Sequence, residues 1–233
     1  MSFYSWEDWE RELDWMALHG VNLMLVANGS EAVWQNTLRR LGYTETEITD
    51  FITGPAYNAW WLMGNIEGWG GPMPQSQIDD RAETVKKMIA RMRELGIEPL
   101  MPGFYGMVPS NYGEKTGSKV FLQGTWGAFT RPAILDPTTP EFDRVAAIYY
   151  EEMTKLYGED ISFFSGDPFH EGGNVTGVDL GAAGAAIQRA MQQHFPGSTW
   201  VLQGWQDNPK PGLLEKLDRQ HVLVQELVGE NTA

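Results

Sequence analysis

Apolar residues recur along this chain with two spacings, and the two alternate. Trp6, Trp9, Leu13, Met16 and Ala17 share one face at helical spacing, so a helix is expected from Trp6 to His19, with Ser5 as its N-cap. Gly20 ends it, and Val21 to Ala27 reads as a strand. A second helix follows Ser30 and stops at Gly42. The longest stripe, Ile78, Ala82, Val85, Met88, Ile89, Met92 and Leu95, predicts a helix over Gln75 to Leu95, closed by Gly96 and followed by a strand from Ile97 to Met101. Thr139 and Pro140 open another helix that aligns Phe142, Val145, Tyr149, Met153 and Leu156 and ends at Gly158. The remaining elements are a strand at Ile161–Ser165, a helix over Asp179 to His194, a strand at Thr199–Gln203, a helix near Pro211–Arg219 and a strand at Val222–Leu227.

Strands alternating with helices predict parallel pairing through right-handed crossovers. Five strands are too few for a closed eight-stranded barrel, so the chain is expected to be an α/β fold, either an open sheet or part of a (β/α) barrel, in a single domain. The turn Asn28-Gly29-Ser30-Glu31 after the first strand lacks a dinucleotide fingerprint. Two long segments interrupt the rhythm. Tyr43 to Pro74 is aromatic, with short helical stretches near Glu45–Phe51 and Ala56–Met63, and Pro102 to Asp136 reads as a loop. Long insertions of this kind usually serve function.

Charge and composition narrow the chemistry. A net charge of −14 argues against nucleic acid and anionic membranes as partners. No apolar run approaches the ~20 residues a membrane span needs. The absence of cysteine excludes disulfides, Cys–zinc sites and a Cys nucleophile. The four histidines lie on different elements with no metal-ligand spacing, and no cofactor is implied. Trp60, Trp61, Trp69, Phe104, Tyr105, Trp126, Phe129 and Trp205 fall in or beside loops. Such rings either pack the core or offer flat faces to the C–H faces of sugars.

The third strand runs into Asp167-Pro168-Phe169-His170-Glu171-Gly172-Gly173. Pro168 cannot continue a central ladder, and the glycines permit a close turn. Asp167, His170 and Glu171 therefore sit past a strand's C-terminal end, where barrel enzymes keep their catalytic groups. Glu171 beside aromatics and a histidine reads as a proton donor, because an apolar wall raises a carboxyl pKa. His170 either bonds a ligand or packs in the loop, and Asp167 either fixes the turn or shifts a pKa. Glu31, past the first strand, either accepts sugar hydroxyls or favours a helix dipole.

Several motifs resemble one family. Phe3-Tyr4-Ser5-Trp6-Glu7-Asp8-Trp9-Glu10-Arg11-Glu12-Leu13-Asp14-Trp15-Met16, Gly54-Pro55-Ala56-Tyr57, Met63-Gly64-Asn65, Trp69-Gly70-Gly71-Pro72, Gly96-Ile97-Glu98-Pro99, the Asp167–Gly173 turn and Gln203-Gly204-Trp205 together resemble the α-N-acetylglucosaminidases of glycoside hydrolase family 89. The resemblance implies a TIM-like barrel that removes terminal α-linked N-acetylglucosamine (GlcNAc) from glycans with retention. It puts the general acid/base on Glu171 and the nucleophile on a second Glu expected beyond Ala233. It also implies sugar contacts from Asn65, Trp69, Trp60 and Trp205, and polar contacts from Glu226 and Glu230. The chain resembles the first half of such a barrel, with the family's upstream domain expected before Met1. The resemblance also implies complete relatives that are often secreted, periplasmic or lysosomal. Little or no turnover is expected from the 233 residues alone. The alternative is a non-catalytic sugar-binding remnant, or a fragment that self-associates through its open barrel edges.

Overall fold

A computed structural model describes residues 3–227. Its main sheet holds β1 (Leu23–Leu25), β2 (Glu98–Pro102), β3 (Phe163–Ser165), β4 (Thr199–Gly204) and β5 (Val222–Glu226). All four neighbouring pairs are parallel, and the spatial order follows the sequence order, so the sheet curls into half of a barrel. Leu100 of β2 pairs with Leu25, the end of β1, and with Phe163, the start of β3, while Pro102 pairs with Ser165, so β2 and β3 end level and two residues beyond β1.

The helices form where the apolar stripes predict them, and local chemistry sets their ends. Ser5 and Asp8 close a capping box at the start of the Trp6–Leu18 helix. The Gln75–Leu95 helix buries Ile78, Val85, Met88, Ile89 and Met92 and stops at Gly96. Thr139 caps the Pro140–Tyr157 helix, and Asp179 caps the Leu180–His194 helix by accepting the Ala182 N–H at 2.9 Å. Between this helical layer and the sheet lies a largely aromatic core. Trp34 packs on Tyr149 with ring centroids 5.1 Å apart, and Phe104 packs on Phe142 at 5.1 Å.

Two expectations change. The helix near Pro211–Arg219 is only a short turn, Pro211–Leu214, followed by a 3-10 turn at Arg219–His221. The Pro102–Asp136 segment is an ordered lid rather than a plain loop. Ala133–Leu135 pairs antiparallel with both Met107–Val108 and Val120–Phe121, and Thr125–Trp126 pairs with Phe129–Thr130. The outer strands of the main sheet stay partly uncovered. Leu25 on β1 and Leu223 and Val224 on β5 are 40–46% exposed.

Candidate functional site

The loops past β1, β2, β3 and β4 converge on a cavity of about 150 Å³. Leu25 and Ala27 come from β1 and the residues after it, and Pro102 ends β2. Ser165 ends β3, Gly166 and Asp167 follow it, and Gln203 and Trp205 come from β4 and its exit. Ala59, Leu62 and Met63, from the Asn58–Leu62 helix and its end, close the wall with His170. The lining is mostly apolar with a few convergent polar groups, the composition expected of a small-ligand pocket.

The turn after β3 is held from three directions. Asp167 Oδ1 accepts the Gln203 N–H at 2.8 Å and the Asn208 side-chain amide at 3.2 Å, which pins the turn to β4 and the segment that follows it. The His170 ring donates Nε2–H to the Met63 carbonyl and lies tilted against Trp205, with ring centroids 5.5 Å apart. Arg131, from the lid, donates to the His170 carbonyl at 3.1 Å and the Glu171 carbonyl at 2.9 Å. Phe169 and Glu171 adopt left-handed backbone, with φ of 61° and 46°. Gly173 is required where it stands, since a Cβ there would lie 2.8 Å from the Phe169 backbone.

This scaffold brings the Glu171 carboxyl to Asn65, whose buried amide donates to Oε2 at 2.8 Å. His170 Nδ1 lies 4.0 Å from the same oxygen. The Glu171 side chain is 23% exposed, so it is held and yet reachable. Burial pushes the Asp167 carboxyl up to about 6, against the opposing pull of its two hydrogen bonds. Burial also pushes His170 down, with the Met63 bond opposing this and the Arg131 charge adding to it. With Nε2–H given to Met63, Nδ1 of the neutral ring is an acceptor.

Asp167, His170 and Trp205 thus line one cavity, and Asn65 and Glu171 meet beside His170. The other expected residues stand elsewhere. Glu31 is fully buried and paired with Arg81 of the Gln75–Leu95 helix, away from the cavity wall. Trp60 and Trp69 are about half exposed and outside the cavity lining. Trp69 meets Phe129 edge-on at 4.9 Å and Tyr57 at 6.3 Å. Trp61, Phe104 and Tyr105 are core residues, at most 5% exposed. Glu226 lies on β5 close to Gly204, and Glu230 falls outside the described residues. Nothing local in the sequence marks Arg131 or Asn208, and Met63 is marked only as part of the Met63-Gly64-Asn65 motif; the roles of all three arise from contacts across the fold. Among the described residues no group of three His, Asp or Glu could hold a metal ion, and no helix is long and apolar enough to cross a membrane.

Relatives carry the same architecture. The curated human alpha-N-acetylglucosaminidase is 34% identical over 98% of this chain, which spans 33% of that protein's length. A family 89 glycoside hydrolase from Clostridium perfringens in complex with PUGNAc superposes with a TM-score of 0.92 at 41% identity, over 96% of this chain and 26% of that one. A form of the C. perfringens protein with two glutamates changed to glutamine, bound to its substrate GlcNAc-alpha-1,4-galactose, matches at a TM-score of 0.92 and 40% identity. This chain therefore spans about a third or less of the length of these relatives. The alpha-N-acetylglucosaminidase (NAGLU) tim-barrel domain family matches residues 1–233, and the chain belongs to that family.

Proposed function

We propose that this chain carries the acid/base half of a retaining α-N-acetylglucosaminidase site, acting on terminal α-linked GlcNAc of glycans. The observation that carries the reading is the Glu171 carboxyl, fixed by Asn65 in a left-handed turn beside a cavity at the strands' C-terminal ends. Glu171 gives its proton to the leaving oxygen and then takes one from water. Retention requires a second carboxylate about 5–5.5 Å from the first. Asp167 is a poor candidate, since Oδ1 is committed to Gln203 and Asn208 and burial favours its neutral form. The nucleophile is therefore assigned to a glutamate outside the described residues, in keeping with the two glutamates replaced in the substrate-bound relative.

The terminal sugar occupies the cavity, with its apolar face on Trp205 and its hydroxyls toward Asp167 and His170. Trp60, on the helix that walls the cavity, and Trp69 are proposed to meet the rest of the glycan outside it. Glu31, wholly buried in its pair with Arg81, is proposed as a structural tie and not as a sugar contact. The partly exposed β1 and β5 strands are also proposed to associate between copies when nothing else covers them. Concentration-independent monomer in analytical ultracentrifugation would reject that last point.

The test of the chemistry is hydrolysis of an aryl α-N-acetylglucosaminide by the chain and by Glu171→Gln. Release that falls by about 10²–10⁴-fold in the variant, the range of a lost general acid, assigns the proton to Glu171. Equal release by both rejects it. A chain without its nucleophile cleaves nothing but still binds the glycoside; absence of both cleavage and binding also rejects the reading.

A further inference from the structure

Arg131 is 4% exposed, yet no carboxylate lies within ion-pair distance of its guanidinium among the described residues. Its two described side-chain hydrogen bonds go to backbone carbonyls, and those carbonyls belong to consecutive residues, His170 and Glu171. A buried cation without a counter-ion is costly, and burial indeed lowers the Arg131 pKa, with the nearby Glu171 charge opposing. Two neutral donors would satisfy the same carbonyls at less cost. The site must therefore need something only an arginine supplies.

The backbone that Arg131 grips shows what that is. Phe169 and Glu171 both have positive φ, a conformation that costs a side-chain-bearing residue about 1–3 kcal/mol and persists only when its surroundings over-determine it. Other contacts of the turn act elsewhere. Asp167 is pinned at its start, the His170 ring is tied to Met63, and Gly173 returns a bond to the His170 carbonyl at 3.0 Å. Among the described residues, only Arg131 bonds the main chain of Glu171. Its planar, rigid fork spans two carbonyls at once, and a lysine, with a single point charge, is a poor substitute.

We propose that Arg131 is a positioning residue for the acid/base, its fork on the His170 and Glu171 carbonyls holding the left-handed backbone that brings the Glu171 carboxyl to Asn65. The proposal rests on the assignment of Glu171 above. A second consequence separates the charge of Arg131 from its shape. The guanidinium acts on His170 together with Glu171 and Lys210, and it helps to keep that ring neutral with Nδ1 as an acceptor.

The experiment compares the chain with its Arg131→Lys and Arg131→Gln variants by NMR, which needs no turnover and so does not depend on the glycosidase reading. The three-bond HN–Hα coupling and Cα shift of Glu171 report its φ. The left-handed signature should be lost in both variants, because neither can span the two carbonyls. The His170 titration midpoint should rise in Arg131→Gln, which has lost the charge, and stay near wild type in Arg131→Lys. A left-handed Glu171 in either folded variant overturns the proposal. Should both variants fail to melt cooperatively, the wild-type protein decides. Scalar couplings across the hydrogen bonds from the Arg131 Nη–H groups to the His170 and Glu171 carbonyl carbons support it, and their absence overturns it. Where turnover is measurable, both variants should lose about 100-fold, the scale of an ångström-sized misplacement. Loss in Arg131→Gln with full rescue by Arg131→Lys would show that charge, not the fork, is what matters, and would overturn the positioning role.

Discussion

Glu31 and Glu171 occupy equivalent places, each just past the C-terminal end of a parallel strand, and they meet opposite fates. Glu31 lies in the first turn of the Ser30–Arg40 helix, wholly buried, and its charge is matched by Arg81. Glu171 lies in a strained turn and also has an arginine close by. That arginine, however, grips its backbone and leaves its carboxyl to an amide and to solvent. A carboxylate answered by a cation is a structural tie. A carboxylate answered by a neutral donor, on a scaffold that holds only its main chain, carries no such tie. Chain position alone does not separate the two; the partner does.

The largest stability effect that separates them should come from Arg81→Met. It leaves Glu31 buried without its cation and is expected to cost about 3–5 kcal/mol in urea unfolding. Glu171→Gln should cost under about 1 kcal/mol by the same measurement, since a glutamine keeps an acceptor for Asn65 and buries no new charge. A small loss in the first variant, or a large loss in the second, would erase the contrast.

Next comes a pH effect at Asp167. Its carboxyl is raised by burial to about 6, so the folded state holds the proton more tightly than the unfolded one. The stability this contributes is fully present below about pH 4 and is lost as pH rises through about 6. Wild type should therefore lose about 2 kcal/mol relative to Asp167→Asn between pH 4 and pH 7, since part of the effect is already gone at the unfolded pKa. A constant difference between the two proteins across that range would contradict the burial argument. The smallest effect is expected at a plain helix start. Thr139→Ala removes the cap that accepts the Phe142 N–H and should cost about 1 kcal/mol, with no change in glycoside binding.

Much of the fold was legible because burial in parallel strands and amphipathic helices imposes periods that survive in the sequence. All five strands and the long helices fall where Leu23, Leu100, Phe164, Val201 and the Ile78–Leu95 stripe suggest. The lid was missed because its strands are two or three residues long, too short for a period, although Trp126-Gly127-Ala128-Phe129 does have the form of a tight hairpin. The place of Glu171 past a strand's C-terminal end was legible through the Asp167–Gly173 motif. Arg131 was not, because its partners lie 39 and 40 residues along the chain and nothing local marks it. The pairing of Glu31 with Arg81 was illegible for the same reason, its cation being 50 residues away.

The central claim is that the cavity between the Glu171 turn and Trp205 receives the terminal sugar. It is tested most directly by titrating the ¹⁵N-labelled chain with methyl α-N-acetylglucosaminide and following the indole Nε1–H signals. The account predicts a saturable shift of Trp205 while the core residues Trp9 and Trp34 stay still. No shift of Trp205 at any concentration, or equal shifts of all three, would contradict it.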